Sequence, residues 1–173
     1  MRLTLRSSLA MRTLMYCAVN DGRTVKKHQI AAACNASENH LGQVIHRLSQ
    51  LGYLHTMRGR TGGLRLGQPM EEIRVGAVLR AMETPVPFAE CFDSAGNCPL
   101  VAACRLRPAL AAAIEGFYEA LLPVSLRDLV EGNDCLAELL ENPAPAGGRG
   151  CATRQAPLAP PGRGPAAPVM ACA

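Results

Sequence analysis

Residues 24–67 constrain the fold of this chain more than any other stretch of its sequence. Apolar residues at helical spacing predict a short helix over residues 25–34, with Thr24 as its N-cap. A tight turn follows, and Ser37 can cap a further helix over residues 38–51. The apolar positions of this second helix follow the helical period and are Leu41, Val44, Ile45 and Leu48. Two helices joined by so short a turn form a helix-turn-helix.

A β-hairpin is predicted directly after these two helices. Residues 52–57 and 64–66 are typical of short alternating strands, and the segment between them, RGRTGG, is rich in glycine and arginine. A hairpin in this place is the wing of a winged helix, and the combination is far more specific than a helix-turn-helix pattern alone. The predicted fold class is therefore mainly α with a small β-hairpin wing.

Further helices are predicted on both sides of this unit. Densely apolar residues 3–19 predict a largely buried first helix, and another is predicted from residue 73 or 75 to residue 82. Ser125 and Asp128 are typical of a capping box. A long helix after Cys104 carries an apolar stripe made of Leu106, Leu110, Ile114, Phe117 and Leu121. Little chain remains to cover this stripe, so we expect it to pair with a second copy; the alternative is packing within the chain's own core.

The charge of the chain is divided unevenly along its length. Residues 1–70 contain ten arginines or lysines and two acids, whereas the remainder contains eight arginines and twelve acids. A basic first half with an acidic second half is typical of a nucleic-acid-binding protein with a separate regulatory part, because phosphate attraction dominates such binding. The alternative is a solvated basic face with no partner.

The helix-turn-helix and the wing supply candidate contacts to double-stranded DNA. If the second helix lies in the major groove, its first turn faces the base edges, and a basic wing tip suits the narrow minor groove. An arginine further along the helix more plausibly reaches phosphate. The candidate DNA-binding residues are Ser37, Asn39, His40, Gln43, Arg47, Arg58, Arg60 and Thr61. The alternative for each is a solvated polar position.

A segment with three cysteines, residues 91–104, follows the predicted winged helix and is called the cysteine segment below. Cys91, Cys98 and Cys104 lie among Gly96 and other residues typical of loops. A loop can bring three sulfurs to one point, and thiolates are the ligands that hold iron-sulfur clusters or zinc. Zinc is less expected because the paired C-x-x-C spacing is missing. The alternative is that these cysteines are buried filler.

The composition changes abruptly after residue 141. Residues 142–173 contain seven prolines and five glycines, which predicts a disordered tail with exposed thiols at Cys151 and Cys172.

The chain as a whole is expected to contain a DNA-binding domain over residues 1–83, the cysteine segment with its approach over 84–104, and dimerisation and C-terminal helices over 105–141. The sequence has no long apolar span and no signal peptide pattern, so a cytoplasmic protein with no membrane partner is expected.

Three stretches of the sequence carry a resemblance to a known family. They are the opening MRLT, residues 36–67 and residues 90–106, ECFDSAGNCPLVAACRL. With these motifs the chain resembles the iron-sulfur-dependent bacterial repressors that include NsrR, IscR and RirA. Residues 37–48 are most similar to the nitric-oxide sensor of that family, whereas residues 14–22 are similar to its iron regulator.

The resemblance implies a function and a set of partners. It implies a homodimeric repressor, not an enzyme, that binds a palindromic operator and holds a 4Fe-4S or 2Fe-2S cluster on Cys91, Cys98 and Cys104. Nitric oxide would act on the cluster and release genes of nitric-oxide detoxification or nitrogen-oxide metabolism. The alternative is an iron-responsive or iron-sulfur-status regulator. A redox enzyme is not expected, because all four histidines lie in the DNA-binding half.

One departure from the family pattern concerns the fourth cluster ligand. Relatives supply an acidic residue near the start of the partner's first helix, or a histidine just after the third cysteine. Those places hold Ser8 and Arg107 in this chain, and neither is a usual iron ligand. The open candidates are Asp93, a small thiol, water or another residue.

Overall fold

The computed structural model describes residues 3–59, 62–84, 87–93 and 96–141. A single turn of 3-10 helix, Glu90–Phe92, lies in the cysteine segment. The elements in chain order are α1 (Leu5–Val19), α2 (Lys27–Ala33), α3 (Glu38–Gln50), β1 (Leu54–Met57), β2 (Gly63–Leu66), α4 (Val75–Glu83), α5 (Leu106–Leu121), α6 (Leu126–Val130) and α7 (Asp134–Glu141). The prediction of a mainly α protein with a two-stranded wing is confirmed. None of the described helices is long and apolar enough to cross a membrane.

The start of α2 differs from the prediction, and the wing is the reason. Val25 exchanges both backbone hydrogen bonds with Leu64, at 3.0 and 2.8 Å, so its backbone is extended and the helix begins only at Lys27. The predicted cap at Thr24 is wrong: its hydroxyl accepts from Nε of Arg65 at 2.9 Å. These contacts attach the wing to the beginning of the helix-turn-helix.

The other two predicted caps are confirmed. Ser37 begins α3, and its hydroxyl accepts a hydrogen bond from the backbone N–H of His40 at 3.3 Å. Ser125 and Asp128 form the capping box of α6: the Asp128 N–H donates to the Ser125 hydroxyl, and the Asp128 carboxylate accepts from the Ser125 N–H at 2.8 Å. These side chains satisfy N–H groups that a helix start would otherwise leave unpaired.

The main hydrophobic core is built around α1. Against its buried residues, such as Leu14, pack side chains from α3, β2, α4, α6 and α7. Leu126 is fully buried and Leu140 is 8% exposed, so residues after α5 complete the core of the winged helix. The division at residue 83 remains a prediction, but the core contains residues from both sides of it.

The chain returns to the winged helix at a defined junction, which joins residues 73–75 to residues 124–126. Val75 N–H donates to Val124 at 2.9 Å, and Leu126 N–H donates to Ile73 at 2.8 Å. A guanidinium nitrogen of Arg74 also donates to the carbonyl oxygen of Pro123 at 3.0 Å. Residues 84–123 are called the arm below, and the described residues of the arm contribute no side chain to the main core.

A second, smaller cluster joins α4 to α5. Val75, Leu79 and Tyr118 are buried in it, and half-buried residues of α5 pack around them. The two helices approach so closely at Gly76 that an added Cβ would clash with the carbonyl oxygen of Tyr118 and lie 2.8 Å from the backbone nitrogen of Leu122. Only glycine allows this approach.

We predict that Gly76→Ala lowers the free energy of unfolding by about 1–3 kcal/mol, the usual cost of overpacking. The new methyl group must push α5 away from α4. Chemical denaturation monitored by circular dichroism measures the change. Gly42→Ala is the matched control, because a Cβ at this α3 position meets nothing within 4 Å, and it should gain up to about 1 kcal/mol from helix propensity. Equal stability of the two variants would contradict the close packing of α4 on α5.

Candidate nucleic-acid interface and cysteine segment

The predicted recognition helix α3 divides cleanly into a buried and an exposed face. Its apolar residues, such as Leu41 and Leu48, are fully buried in the core. The opposite face presents the exposed side chains of Asn39, His40 and Gln43. Ser37 is exposed as well, but its hydroxyl already caps the helix. The packing of α3 therefore leaves the predicted base-reading positions open to solvent.

Arg47 lies further along α3 and is half-buried. Its Nε atom is buried and has no hydrogen-bond partner within the described residues. A buried donor without a partner is costly, so the side chain keeps unused capacity to donate hydrogen bonds. The contact of Arg47 with a phosphate remains a prediction.

The wing presents part of its predicted basic tip. Arg58 is exposed at the end of β1, and the following Gly59 has φ +101, a conformation that favours glycine. Arg60 and Thr61 lie outside the described residues. Lys26 donates a hydrogen bond to the carbonyl oxygen of Gly62, which ties the returning end of the tip to the start of α2. The wing therefore has a fixed position relative to the helix-turn-helix.

The three cysteines of the cysteine segment share one environment. Cys91 lies in the 3-10 turn, Cys98 and Cys104 stand on either side of the turn at residues 99–103, and all three are half-buried free thiols. Accessible thiols without a disulfide are the donor set that an iron-sulfur cluster requires. The described residues do not gather three metal-ligating side chains at one point, so the sulfurs must move together to hold such a group.

The two positions that differ from the family pattern have other contacts. The Ser8 hydroxyl accepts a hydrogen bond from Arg12 at 3.3 Å. The Arg107 guanidinium lies over the ring of Phe92, 5.7 Å from its centroid. The backbone of Asp93, another candidate ligand, closes the turn before Gly96 by accepting its N–H at 3.1 Å.

The predicted dimer stripe on α5 is partly used within the chain. Ile114, Phe117 and Leu121 are half-buried against the cluster that joins α4 and α5. Leu110 is half-buried, and Leu106 is 63% exposed at the start of the helix. Both uses that the sequence allowed, packing in the chain and presenting an apolar surface, are therefore present on one helix.

Two cavities meet at Thr4, between the arm and the recognition helix. The larger, about 610 Å³, is lined by Phe88 and Phe92 together with residues of α4 and α5. The smaller, about 320 Å³, is lined by His40 and Gln43 on α3. Thr4 lines both, and its N–H donates to the Glu83 carboxylate at 2.8 Å.

Sequence reasoning missed this contact between the first residues of α1 and the end of α4. The two partners are 79 positions apart, and the opening MRLT that ends at Thr4 gives no sign of a contact with Glu83. The sequence offers one local signal, since threonine is a suitable N-cap residue. In the structure Thr4 caps α1, and its hydroxyl accepts a hydrogen bond from the Ser7 N–H.

The winged helix contains two further free cysteines in a different environment. Cys17 and Cys34 are 3% and 4% exposed in the core. Burial raises the pKa of the Cys17 thiol to about 12, with a contribution from the nearby Cys34. Burial also raises the pKa of Cys34, and the positive charge of Arg12 partly offsets it. Because the thiolate is the nucleophile, these two thiols should be inert.

We predict that iodoacetamide at pH 8 labels Cys91, Cys98 and Cys104 in reduced, metal-free protein and leaves Cys17 and Cys34 unmodified. Accessibility and the raised pKa both protect the core thiols. Tandem mass spectrometry of the peptides measures the labelling, and the same reaction in denaturant is the control in which all five should react. Rapid labelling of Cys17 in folded protein would contradict the buried position.

Comparison with known proteins identifies the family to which the chain is similar. The model of the Rrf2 family, described as an iron-dependent transcriptional regulator, matches residues 3–132. The HTH-type transcriptional regulator NsrR of Geobacillus kaustophilus (strain HTA426) is 41% identical over 143 residues, which cover 82% of this chain and 97% of the relative. NsrR of Bacillus subtilis (strain 168) is 38% identical over 143 residues, covering 82% and 98%.

Solved structures agree on the fold. IscR of T. potens has a TM-score of 0.60 at 20% identity, covering 76% of this chain and 87% of that chain. CymR of B. subtilis has a TM-score of 0.58 at 21% identity, covering 75% and 96%. The resemblance drawn from the three sequence stretches is confirmed. The chain belongs to the Rrf2 family and is a transcriptional regulator, not an enzyme.

Proposed function

We propose that this regulator is a homodimeric repressor that holds an iron-sulfur cluster and releases its operator in response to nitric oxide. The observation that carries the proposal is the set of three free, half-buried thiols on one short segment between α4 and α5. The NsrR relatives at 41% and 38% identity support the signal.

The DNA-binding part of the proposal rests on exposure and charge. Asn39 and Gln43 can each donate and accept toward an adenine edge from the solvent side of α3. Arg58 lies at the wing tip, where a cation can follow a phosphate backbone or enter a minor groove. With α3 in the major groove, two copies related by twofold symmetry would read a palindromic operator.

The cluster part rests on the cysteine segment. Cys91, Cys98 and Cys104 would bind the group as thiolates, and the half-buried position would leave it within reach of a small molecule. A cluster held there would supply iron that reacts with nitric oxide. The chain's own contribution is to bring the three sulfurs together, which requires the turns of the segment to close.

Contacts on the described residues offer a route from this segment to the DNA. Phe92 follows Cys91 and lines the larger cavity together with Glu83. Glu83 holds the N–H of Thr4, and Thr4 also lines the cavity beside His40. A rearrangement at Phe92 would therefore change the shape of the cavity that borders the end of α4 and the start of α1, next to the cavity at α3. These cavities would leave room for such a rearrangement, which a bound group could bias.

The dimer part rests on α5. The helix presents the exposed Leu106 together with exposed small residues, which would let a second helix approach closely. The small residues are Ala109, Ala112, Ala113, Gly116 and Ala120. An apolar residue beside small ones on a four-turn helix fits a partner helix of the same kind.

A second candidate function is control by iron supply. The family model is described as iron-dependent, and the same three thiols would hold a cluster whose presence reports iron. The structural elements would be used in the same way, and only the signal would differ.

We predict that protein purified without oxygen shows the visible absorption of a cluster, and that Cys98→Ala abolishes it while the helicity stays unchanged. Removing one of three thiolate ligands leaves too few donors to hold the group. Cys17→Ala is the control, because it removes a thiol outside the segment and should keep the absorption. Visible absorption in Cys98→Ala equal to that of the parent protein would refute the ligand assignment.

A titration of the same protein separates the two signals. If nitric oxide bleaches the absorption in step with loss of binding to the protein's own promoter region, the nitric-oxide proposal stands. If binding ignores nitric oxide and follows iron loading, the iron-responsive candidate replaces it.

We also predict that the α3 and wing residues affect DNA binding in different ways. Asn39→Ala should cost about 1–3 kcal/mol on the operator and little on unrelated DNA, since it removes a base contact. Arg58→Ala should weaken binding to all sequences and reduce the salt slope by about one, since it removes a phosphate contact. Fluorescence anisotropy at several salt concentrations measures both.

Two matched controls accompany these variants. Gln50→Ala changes an exposed polar residue at the far end of α3, and it should leave operator affinity unchanged. Arg127→Ala changes the net charge as Arg58→Ala does, but on α6, where Arg127 pairs with Glu71 and Glu131. A reduced salt slope in Arg127→Ala equal to that in Arg58→Ala would show a general charge effect and remove the wing from the interface.

A further inference from the structure

We propose that Arg107 is a positioning residue that holds the two ends of the cysteine segment together through Phe92. Phe92 is adjacent to Cys91, and Arg107 follows Cys104 by three positions on the first turn of α5. A contact between them closes the segment from its first cysteine to its last. The inference deepens the proposed function, since it concerns the residues that would hold the cluster.

The geometry of the contact is that of a cation over an aromatic face. The Arg107 guanidinium carbon lies 5.7 Å from the Phe92 centroid, within the roughly 6 Å over which this attraction acts. Within the described residues, Arg107 has no ion pair with a carboxylate that would direct it elsewhere. Among the described residues, the Phe92 ring is thus the partner of the Arg107 charge.

Arg107 does not stabilise α5, the helix on which it lies. The first turn of α5 has no acidic residue and no side-chain cap. A cation there faces the positive end of the helix dipole, which is unfavourable. Arg105 immediately before α5 adds a second charge of the same sign. A residue that breaks the local rules of its helix usually serves a contact elsewhere, and here that contact is Phe92.

Phe92 is held from a second side, which makes it a fixed point for the segment. Its ring meets Phe88 edge to face, with centroids 6.4 Å apart. Both rings line the larger cavity beside α4 and α5. Arg107 therefore attaches the start of α5, which follows Cys104, to the aromatic pair beside Cys91, so less chain entropy remains to be lost when the sulfurs converge.

The first test needs no cluster. In metal-free Cys98→Ser protein, the equilibrium between Cys91–Cys104 disulfide and glutathione reports how often the two ends meet. Each disulfide that forms reduces one oxidised glutathione to two thiols, and peptide mass spectrometry quantifies it. Arg107→Gln should lower the effective concentration of the two thiols roughly two- to five-fold, the size of an exposed cation–aromatic contact.

Matched variants decide whether the contact is responsible. Phe92→Leu should produce the same loss, and the double variant should lose no more than either single one, because both remove one interaction. Arg107→Lys should restore part of the effect. Arg105→Gln removes the same charge from the same helix start and should leave the effective concentration unchanged. An Arg105→Gln effect as large as that of Arg107→Gln, or no effect of Arg107→Gln, would overturn the proposal.

The second test uses the protein as purified without oxygen. Arg107→Gln should lose its visible absorption to an iron chelator two- to five-fold faster than the parent protein, and Arg107→Lys should be intermediate. Unchanged loss rates would overturn a role toward the cluster. If the parent protein carries no cluster, the proposed function fails, while the disulfide equilibrium still decides whether Arg107 closes the segment.

Discussion

The burial of α1 is the constraint on which the rest of the structure depends. Leu14 and Ala10 are fully buried at its centre, and α3, β2, α4, α6 and α7 pack around it. Complete burial of a leucine side chain contributes about 1.5–3 kcal/mol, so the shared core fixes these elements together. Because α6 and α7 belong to this core, the arm between them and α4 starts and ends on the same rigid body.

In the proposed function, that arrangement would connect the arm to the DNA-binding surface. The start of α1 is bound to the end of α4 through the Thr4–Glu83 hydrogen bond, and α1 in turn supports the buried face of α3. Arg80, one turn before Glu83, pairs with Glu115 on α5 and lies over the Tyr118 ring, 5.1 Å from its centroid. The side chains of Glu83 and Arg80 on α4 therefore join α4 to the start of α1 and to α5. A displacement of α5 must move α4 or break the Arg80 contacts.

Local sequence patterns predicted the parts of the fold that depend on neighbours along the chain. The period of Leu41, Val44, Ile45 and Leu48 predicted α3, and the alternation around RGRTGG predicted the wing. The start of α2 was wrong because Val25 pairs with Leu64, a partner in another element that helical propensity does not encode. The junction of residues 73–75 with residues 124–126 escaped prediction for the same reason.

The candidate site also has one part that the sequence predicted and one part that it did not. The spacing of Cys91, Cys98 and Cys104 marked the segment, since three thiols among turn residues are unusual in a core. The contact between Arg107 and Phe92 carried no signal, because an arginine on a predicted helix is usually a solvated residue. Only the structure shows that this arginine lies over a ring next to the first cysteine.

The five free cysteines in the described part of the chain show how environment assigns chemistry to one residue type. Cys17 and Cys34 have raised pKa values because the apolar core disfavours a thiolate, and so they add volume without reactivity. The three thiols of the arm are half-buried and lie outside this core. If cysteines of α1, such as Cys17, held a cluster, every change in the cluster would disturb the helix that supports α3. In the proposed function, a cluster held on the arm would instead reach α1 and α3 through the side-chain contacts of α4, while the core keeps its packing.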